Sequence, residues 1–191
     1  MKKILFLTWD GPQTNYLEGL FIPIFKKLEK YGYEFSIIQF SWAASDHTEH
    51  IKSFCTSSGI KYECMRVLRY GGMLGGLITI LLHRHKIQKH ILQWNIDTIL
   101  FRNLMSATAL LSLNLPSDYG LIFDSDGLPA DERADFRGLS RKSITYRCLR
   151  LVEKKAVKLA DRVLVRSPNA IEILAKRALV SSEKFSTVVN G

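Results

Sequence analysis

Residues Ile4 to Pro12 read Ile-Leu-Phe-Leu-Thr-Trp-Asp-Gly-Pro, four consecutive apolar residues that run directly into a turn-rich loop. A continuous apolar run, without alternation, is typical of a strand that is buried on both faces. Beyond the loop, apolar residues recur at helical spacing from Leu17 to Leu28, and Gly32 follows where a helix would end. The chain therefore begins with a strand, a loop and a helix, which Pro23 is expected to kink.

The same order of strand and helix repeats along the rest of the chain. Polar residues 125–140 interrupt it and predict a long loop. The alternation predicts an α/β fold: a Rossmann-like, doubly wound, mainly parallel sheet of six to seven strands with helices on both faces. No repeat or change of composition divides the 191 residues, so we expect a single domain over residues 1–191. Further strands are predicted at 35–40, 60–68, 97–102, 120–124, 162–166 and 187–189.

The composition combines a globular character with a strong excess of positive charge. Apolar residues make up 47% of the chain and the formal net charge is +9, so disorder is not expected. The charge favours anionic partners, namely phosphate-bearing small molecules, a membrane surface or nucleic acid, although a solvated basic surface is an equal alternative. No RNP-like or helix-turn-helix signature occurs, so nucleic acid is not a predicted partner.

One predicted helix, which ends near Trp94, carries most of the histidines. Residues 83–90 lack the H-E-x-x-H spacing, so they predict a solvated basic face and no metal site. The apolar run that precedes them, from Met73 to Leu82, is too short to span a membrane. It leaves open the alternative that the helix rests on an anionic bilayer. Three cysteines without ligand spacing favour a cytoplasmic protein, which in that alternative is peripheral at the inner membrane face.

Ligands of open parallel sheets bind outside the carboxyl ends of the strands. Four segments follow predicted strand ends, 8–15, 102–103, 124–127 and 166–167, and we expect them to converge on one crevice. The first of them precedes a helix, so its N–H groups can face an anion that Gly11 lets approach closely. A plain glycine-proline turn is the alternative. Neither the dinucleotide-binding nor the P-loop glycine pattern is present, which disfavours NAD and NTP chemistry.

Two carboxylates follow the fifth predicted strand. Asp124 and Asp126 can accept hydrogen bonds from sugar hydroxyls or orient a nucleophile, whereas an ordinary Asp-Gly turn at Asp126 is the alternative. Nothing near them completes a metal ligand set. Arg102 can pair with a phosphate or a carboxylate. Ser167 reads as a helix N-cap before a proline, and no G-x-S-x-G elbow occurs, so hydrolase chemistry is not predicted.

Three stretches in the later part of the chain carry recognisable patterns. Leu151–Ser167 is similar to E-x-x-x-x-x-x-A-D-x-v-x-v-S, Lys184–Gly191 to k-x-x-v-I-x-N-G, and Phe123–Glu132 to y-D-x-r-G-l-x-x-D-E. In their order along the chain, with Phe123–Glu132 first, they resemble the N-terminal domain of GT-B glycosyltransferases, particularly the retaining group classed as family 4. The resemblance extends over nearly the whole layout of the chain and is most specific from Leu121 to Gly191.

The resemblance implies a function. It implies transfer of a sugar from a nucleotide-sugar donor to a glycan or lipid-linked acceptor, with retention of configuration and with neither a metal nor a resident cofactor. The chain stops at Asn190-Gly191, where such enzymes cross into a second, donor-binding domain. We therefore expect the acceptor-side half of an enzyme of cell-surface polysaccharide biosynthesis, with little activity alone. A non-catalytic Rossmann-like module that binds an anionic ligand is the alternative.

The resemblance also assigns roles to residues at the predicted strand ends. The first loop would face the donor diphosphate, and the carboxylates after the fifth strand would lie near the transferred sugar. The predicted set comprises Gly11 and Asn15 at the diphosphate, Asp126 and Asp124 as catalytic residues, and Arg102, Asn103 and Ser167 at the acceptor substrate.

Overall fold

The strands form where the apolar runs of the sequence lie. The computed structural model describes residues 1–69 and 72–188, and in that part of the chain seven strands form one sheet in the order β3-β2-β1-β4-β5-β6-β7. This begins with the strand order of the Rossmann fold. The strands are β1 (Lys2–Trp9), β2 (Tyr33–Ser41), β3 (Lys61–Arg66), β4 (Thr98–Arg102), β5 (Gly120–Asp124), β6 (Arg162–Val165) and β7 (Phe185–Thr187).

Helices connect the strands, and the predicted fold class is thereby confirmed. Pairing is parallel between β1 and β2, β2 and β3, β5 and β6, and β6 and β7. In the described residues the α-helices are α1 (Ile22–Glu29), α2 (Ser45–Ser57), α3 (Met73–Gln93), α4 (Asn103–Leu111), α5 (Pro129–Phe136), α6 (Ile144–Leu159) and α7 (Pro168–Ala178).

Two sequence predictions need correction. The segment 125–140 is not a continuous loop, because α5 forms within it. Pro129 occupies the start of this helix, and Asp131 and Glu132 lie in its first turn, which are favourable positions for these residue types. The last strand comprises Phe185–Thr187 rather than 187–189. Residues 189–191, the end of the predicted tail motif, lie outside the described residues, as do residues 70 and 71.

Pro23 changes the form of the first helix. A π-helical turn, Leu17–Phe21, precedes α1, and the N–H of Ile22 donates to the carbonyl of Leu17. Proline has no N–H, and its ring excludes the carbonyl four residues earlier from a regular helix. The wider turn removes that conflict, so the expected kink takes the form of a π turn at the entry to α1.

The chain divides into two compact units, which are described separately. The first comprises residues 1–100 and 112–119. An apolar cluster in this unit lies around β1, β2, α1 and α2. Within it the rings of Phe25 and Phe35 stack with centroids 4.0 Å apart. The buried members of the cluster are Ile4, Phe6, Leu17, Phe21, Ile22, Phe25, Phe35, Ile37, Ile51, Cys55 and Ile60.

The second unit comprises residues 101–111 and 120–191. Its strands β5, β6 and β7 pair in parallel, and α6 packs against both α4 and α7. Phe101 of β4 and Phe123 of β5 stack with ring centroids 5.1 Å apart. The polar ends of β4, β5 and β6 in this unit carry the candidate site. That the chain behaves as a single domain stays a prediction.

Candidate functional site

The carboxyl ends of three strands bring four charged side chains together in the second unit. Arg102 is the last residue of β4, Asp124 is the last residue of β5, and Arg166 directly follows β6. Asp126 lies two residues beyond Asp124. Parallel strands end at the same edge of a sheet, which is why residues far apart in sequence meet here. We call Arg102, Asp124, Asp126 and Arg166 the strand-end cluster.

Asp124 lies at the centre of the strand-end cluster, and its side chain is only 4% exposed. Its Oδ2 accepts a hydrogen bond from Nη1 of Arg102 at 2.7 Å. Arg166 donates from Nη2 to Oδ1 at 2.8 Å and lies 3.0 Å from Oδ2. Both oxygens of this carboxylate are therefore engaged by guanidinium groups. Asp124 is well placed to orient the two arginines.

Asp126 is the accessible carboxylate of the strand-end cluster. Its side chain is 38% exposed, and its Oδ1 lies 2.6 Å from Nη2 of Arg102 and 3.5 Å from Nη2 of Arg166. Arg102 thus bridges the two aspartates, and its own side chain is only 2% exposed. The Asp126 carboxylate is held by ionic contacts on one side and remains open to a ligand on the other.

Arg166 combines a fixed position with partial exposure. Its side chain is 21% exposed, and its Nη1 donates to the carbonyl of Val188 at 3.3 Å. In the described part of the chain, its Nε is buried and has no hydrogen-bond partner. Buried polar groups are usually paired, so this nitrogen is an exception within the strand-end cluster. Two guanidinium groups and two carboxylates leave the cluster without formal net charge.

Burial makes the strand-end cluster a rigid support. Removing charges from water is expensive, and the loss is offset only when each charge meets an opposite charge with good geometry. Arg102 and Asp124 meet that condition through each other. The arrangement can therefore hold the Asp126 carboxylate and the Arg166 guanidinium at fixed positions on the rim, where they can hydrogen-bond a polar ligand.

Asn103 and Ser167, two of the predicted substrate-binding residues, cap helices. Asn103 has a φ of +67°, and its Oδ1 accepts hydrogen bonds from the N–H groups of Met105 and Ser106 at the start of α4. Asparagine tolerates this left-handed conformation better than most residues. Ser167 accepts from the N–H of Ala170 as the N-cap of α7, as its sequence context predicts. Their contact with a substrate remains a prediction.

The first loop belongs to the first unit, and Gly11 packs there against an aromatic ring. A Cβ atom built at Gly11 would lie 2.7 Å from Cζ2 of Trp42. The carbonyl of Gly11 accepts a hydrogen bond from the hydroxyl of Thr14 at 2.9 Å. The close approach that requires glycine is thus made by Trp42. Asn15 is exposed, and its carbonyl accepts from the N–H of Gly19. A diphosphate contact at either residue is untested.

A second group of charges links α5, α6 and α7 in the second unit. Asp131 accepts hydrogen bonds from the Tyr146 hydroxyl at 2.8 Å and from Arg177 at 2.7 Å. Burial acts to raise the pKa of Asp131, but these hydrogen bonds and the charges of Arg177 and Arg150 outweigh it, so the pKa is lowered. Burial raises the pKa of Glu153, although Arg150 contacts its carboxylate. Glu153, the glutamate of the segment Leu151–Ser167, is therefore buried and paired with arginines of α6 and α7.

Arg166 is the member of the strand-end cluster that sequence reasoning did not single out. It belongs to the segment 166–167 that was expected at the strand ends, from which Ser167 was predicted as a site residue. Successive side chains of a strand point to opposite faces of the sheet, and this alternation places the Arg166 side chain beside Asp124. A count of formal charges at the strand ends, where two aspartates require cations if buried, would have identified it.

The described residues contain neither a metal-ligand cluster nor a membrane-spanning helix. Residues 1–69 and 72–188 contain no group of three or more His, Cys, Asp or Glu side chains placed to hold a metal ion. No helix in the same part of the chain combines the length and apolarity needed to cross a membrane.

The chain is similar in fold to solved structures, whereas its sequence matches neither a family model nor a curated protein. Sucrose-phosphate synthase from Thermosynechococcus elongatus is similar in structure, with a TM-score of 0.66 and 12% identity over 100% of this chain and 48% of that chain.

Two further similar structures differ in function from each other. The lipopolysaccharide outer core galactosyltransferase WaaB has a TM-score of 0.62 and 14% identity over 98% of this chain and 45% of that chain. UDP-GlcNAc 2-epimerase from Neisseria meningitidis, bound to UDP-GlcNAc, has a TM-score of 0.60 and 12% identity over 99% and 46%. The chain spans less than half the length of each of these three proteins. At these identities the likeness establishes a fold shared by GT-B glycosyltransferases and epimerases.

Proposed function

We propose that this chain is the acceptor-side half of a GT-B glycosyltransferase that transfers a sugar from a nucleotide-sugar to a glycan or lipid-linked acceptor. The observation that carries the proposal is the strand-end cluster, which holds an accessible carboxylate at the edge of a Rossmann-like sheet. The shared fold with a galactosyltransferase supports it. The family-4-like motifs favour retention of configuration without a metal, in a cytoplasmic enzyme of cell-surface polysaccharide assembly.

The proposal assigns different tasks to the two aspartates. Asp126, which is 38% exposed, accepts hydrogen bonds from hydroxyl groups of the reacting sugars. Asp124, whose two oxygens contact Arg102 and Arg166, positions the cluster and does not meet the substrate. A carboxylate at a fixed position that accepts hydrogen bonds from hydroxyl groups orients the acceptor for attack.

Arg166 has the second direct task in the proposal. Its partly exposed guanidinium can donate to an anionic or carbonyl oxygen of the substrate. Arg102 acts through the aspartates because it is 2% exposed. This modifies the expectation from the family resemblance, in which Arg102 itself lies near the acceptor.

Epimerisation of a nucleotide-sugar is the second candidate function. It rests on the similar structure of a UDP-GlcNAc 2-epimerase that was solved with UDP-GlcNAc bound. Both candidates require a nucleotide-sugar and differ in whether the sugar leaves the nucleotide for an acceptor. The fold is compatible with both, because fold alone does not determine chemistry.

The proposal is tested by product analysis on the longest protein whose reading frame contains this chain. The protein is incubated with a panel of nucleotide-sugars, with and without a mixture of lipid-linked and free glycan acceptors. We expect acceptor-dependent release of a nucleoside diphosphate and a glycosidic product that keeps the anomeric configuration, as read by NMR. The 191-residue chain alone should release little or none.

Other products would overturn the assignment. A sugar with inverted configuration at C2 that appears without an acceptor would establish the epimerase. Binding of nucleotide-sugars without any turnover would favour the non-catalytic binding module. Substantial transfer by the 191-residue chain alone would contradict its role as half of an active enzyme.

A further inference from the structure

Helix α3 exposes a row of large apolar side chains. Leu74 is 67% exposed, Ile78 is 49% exposed and Leu81 is 57% exposed, and these residues recur every three or four positions on one face. Leu77 and Leu82 flank them, at 38% and 65%. The opposite face of the helix is the buried one and carries Ile80, Ile87 and Ile91. The solvent face of the first half of α3 is thus apolar.

The same solvent face becomes basic in the second half of α3. Arg84, His85 and Lys89 are exposed there, at helical spacing from the apolar row. Lys86 is also exposed, but its charge is already paired with Glu63. The 21 residues of the helix contain no aspartate or glutamate. We call Leu74, Leu77, Ile78, Leu81, Leu82, Arg84, His85 and Lys89 the α3 surface.

The loop before α3 adds to this character. Leu68 is 45% exposed, and its N–H donates to the hydroxyl of Thr79, which joins the loop to the helix. Arg69 follows it and lies with its guanidinium carbon 5.6 Å from the Trp42 ring centroid. An exposed apolar residue and a basic residue thus precede α3 in the loop that follows β3. Contiguous patches of exposed apolar side chains usually mark a binding surface.

The chemistry of the α3 surface selects its partner. Five neighbouring apolar side chains have no role against a nucleic acid backbone, which is bound mainly by cations. A second copy in a two-fold arrangement uses the same patch twice. It could cover the apolar row but would offer the basic half no anionic partner, since α3 contains no aspartate or glutamate. An anionic bilayer accepts both halves, since apolar side chains enter the acyl boundary while cations remain among the headgroups.

We propose that the α3 surface binds the face of an anionic lipid bilayer, with α3 lying in the interfacial region. The inference does not depend on the transferase proposal, because it rests on exposure and charge in the first unit alone. Binding of this kind depends on buried apolar area and on attraction to anionic headgroups together. Loss of either half should therefore release the protein.

The test is co-sedimentation of the 191-residue chain with vesicles of phosphatidylcholine alone or mixed with phosphatidylglycerol. One variant, Ile78→Ser with Leu81→Ser, removes apolar contacts, and another, Arg84→Gln with Lys89→Gln, removes two charges. Matched controls lie on α6: Leu151→Ser with Leu159→Ser, which are 53% and 44% exposed, and Arg147→Gln with Lys155→Gln. All substituted side chains are exposed, and circular dichroism confirms that each variant folds.

The expected result is binding to the mixed vesicles and little to phosphatidylcholine alone. Both α3 variants should bind at least about tenfold more weakly, and both α6 controls should stay within about twofold of the parent. Equal binding by the α3 variants and their controls would overturn the proposal, as would no binding to mixed vesicles. A dimer in lipid-free sedimentation equilibrium that Ile78→Ser with Leu81→Ser abolishes would assign the surface to a second copy instead.

Discussion

Arg166 contacts both carboxylate oxygens of Asp124 through one nitrogen, Nη2, at 2.8 and 3.0 Å. This contact joins the end of β5 to the residue that follows β6, 42 positions later in the chain. Arg102 contacts the same carboxylate from β4. The ends of three strands are therefore held together by one buried aspartate, and the exposed Asp126 is fixed by the same two arginines.

The first prediction concerns the buried pair. Replacing Arg102 by alanine leaves the Asp124 carboxylate buried with one fewer cation, and loss of one partner of a buried pair typically destabilises by about 3–5 kcal/mol. Urea unfolding measures the change. Arg141→Ala is the control, because Arg141 also pairs with an aspartate, Asp135, but both side chains are about half exposed. Its unfolding midpoint should match the parent. A similar midpoint for Arg102→Ala would contradict the structural role of the cluster.

The second prediction concerns the first loop. Gly11→Ala places a methyl group 2.7 Å from Cζ2 of Trp42, so the loop or the ring must move. Overpacking of this kind costs about 1–3 kcal/mol. Gly19→Ala is the matched control, since its Cβ meets nothing within 4 Å, and it should be neutral or stabilising by up to about 1 kcal/mol. Thermal unfolding of both variants checks the difference. Equal stabilities would contradict the close packing of Gly11 against Trp42.

The third prediction is a pH dependence. The pKa of Asp131 is lowered in the folded chain, chiefly by hydrogen bonds from Arg177 and Tyr146 that outweigh burial. A lowered carboxyl pKa adds stability above the pKa of the unfolded chain, and that stability is lost as the pH falls through the folded pKa. Asp131→Asn should therefore be less stable than the parent at neutral pH.

The difference between parent and Asp131→Asn should shrink as the pH is lowered to about 3. Urea midpoints at several pH values measure it. Asp135→Asn is the control, because Asp135 is 46% exposed and pairs with the exposed Arg141. Its midpoint should follow the parent at every pH. A gap for Asp131→Asn that stays constant, or widens toward acid, would show that its hydrogen bonds do not stabilise the ionised form.

Apolar runs and turn residues in the sequence predict most of the fold. Ile4–Leu7 forms a buried strand because nothing polar interrupts the run, and Ser167 caps α7 because serine before proline favours a helix start. The helix in 129–136 was missed because its residues are mostly polar, and tertiary contacts such as that between Asp131 and Arg177 help to hold it. The local sequence pattern gives no information about such contacts.

The site was predicted in part. The ends of β4, β5 and β6 were expected to meet, and the structure brings Arg102, Asp124 and Asp126 into contact. The partners of these charges could not be predicted, because ion pairs between distant residues depend on side-chain direction. For the same reason, the sequence could not tell which face of α3 packs against the rest of the first unit and which faces solvent.

The most direct test of the proposed function compares two single-atom changes of aspartate to asparagine in the longest protein that contains this chain. Asp126→Asn removes the accessible carboxylate of the strand-end cluster, and Asp135→Asn removes an exposed carboxylate outside it. With fold and stability checked by unfolding, we predict that kcat/KM for sugar transfer falls at least about 100-fold for Asp126→Asn, within the range seen when a general acid–base or orienting group is lost. It should change less than about twofold for Asp135→Asn. Equal activities of the two variants would contradict the account.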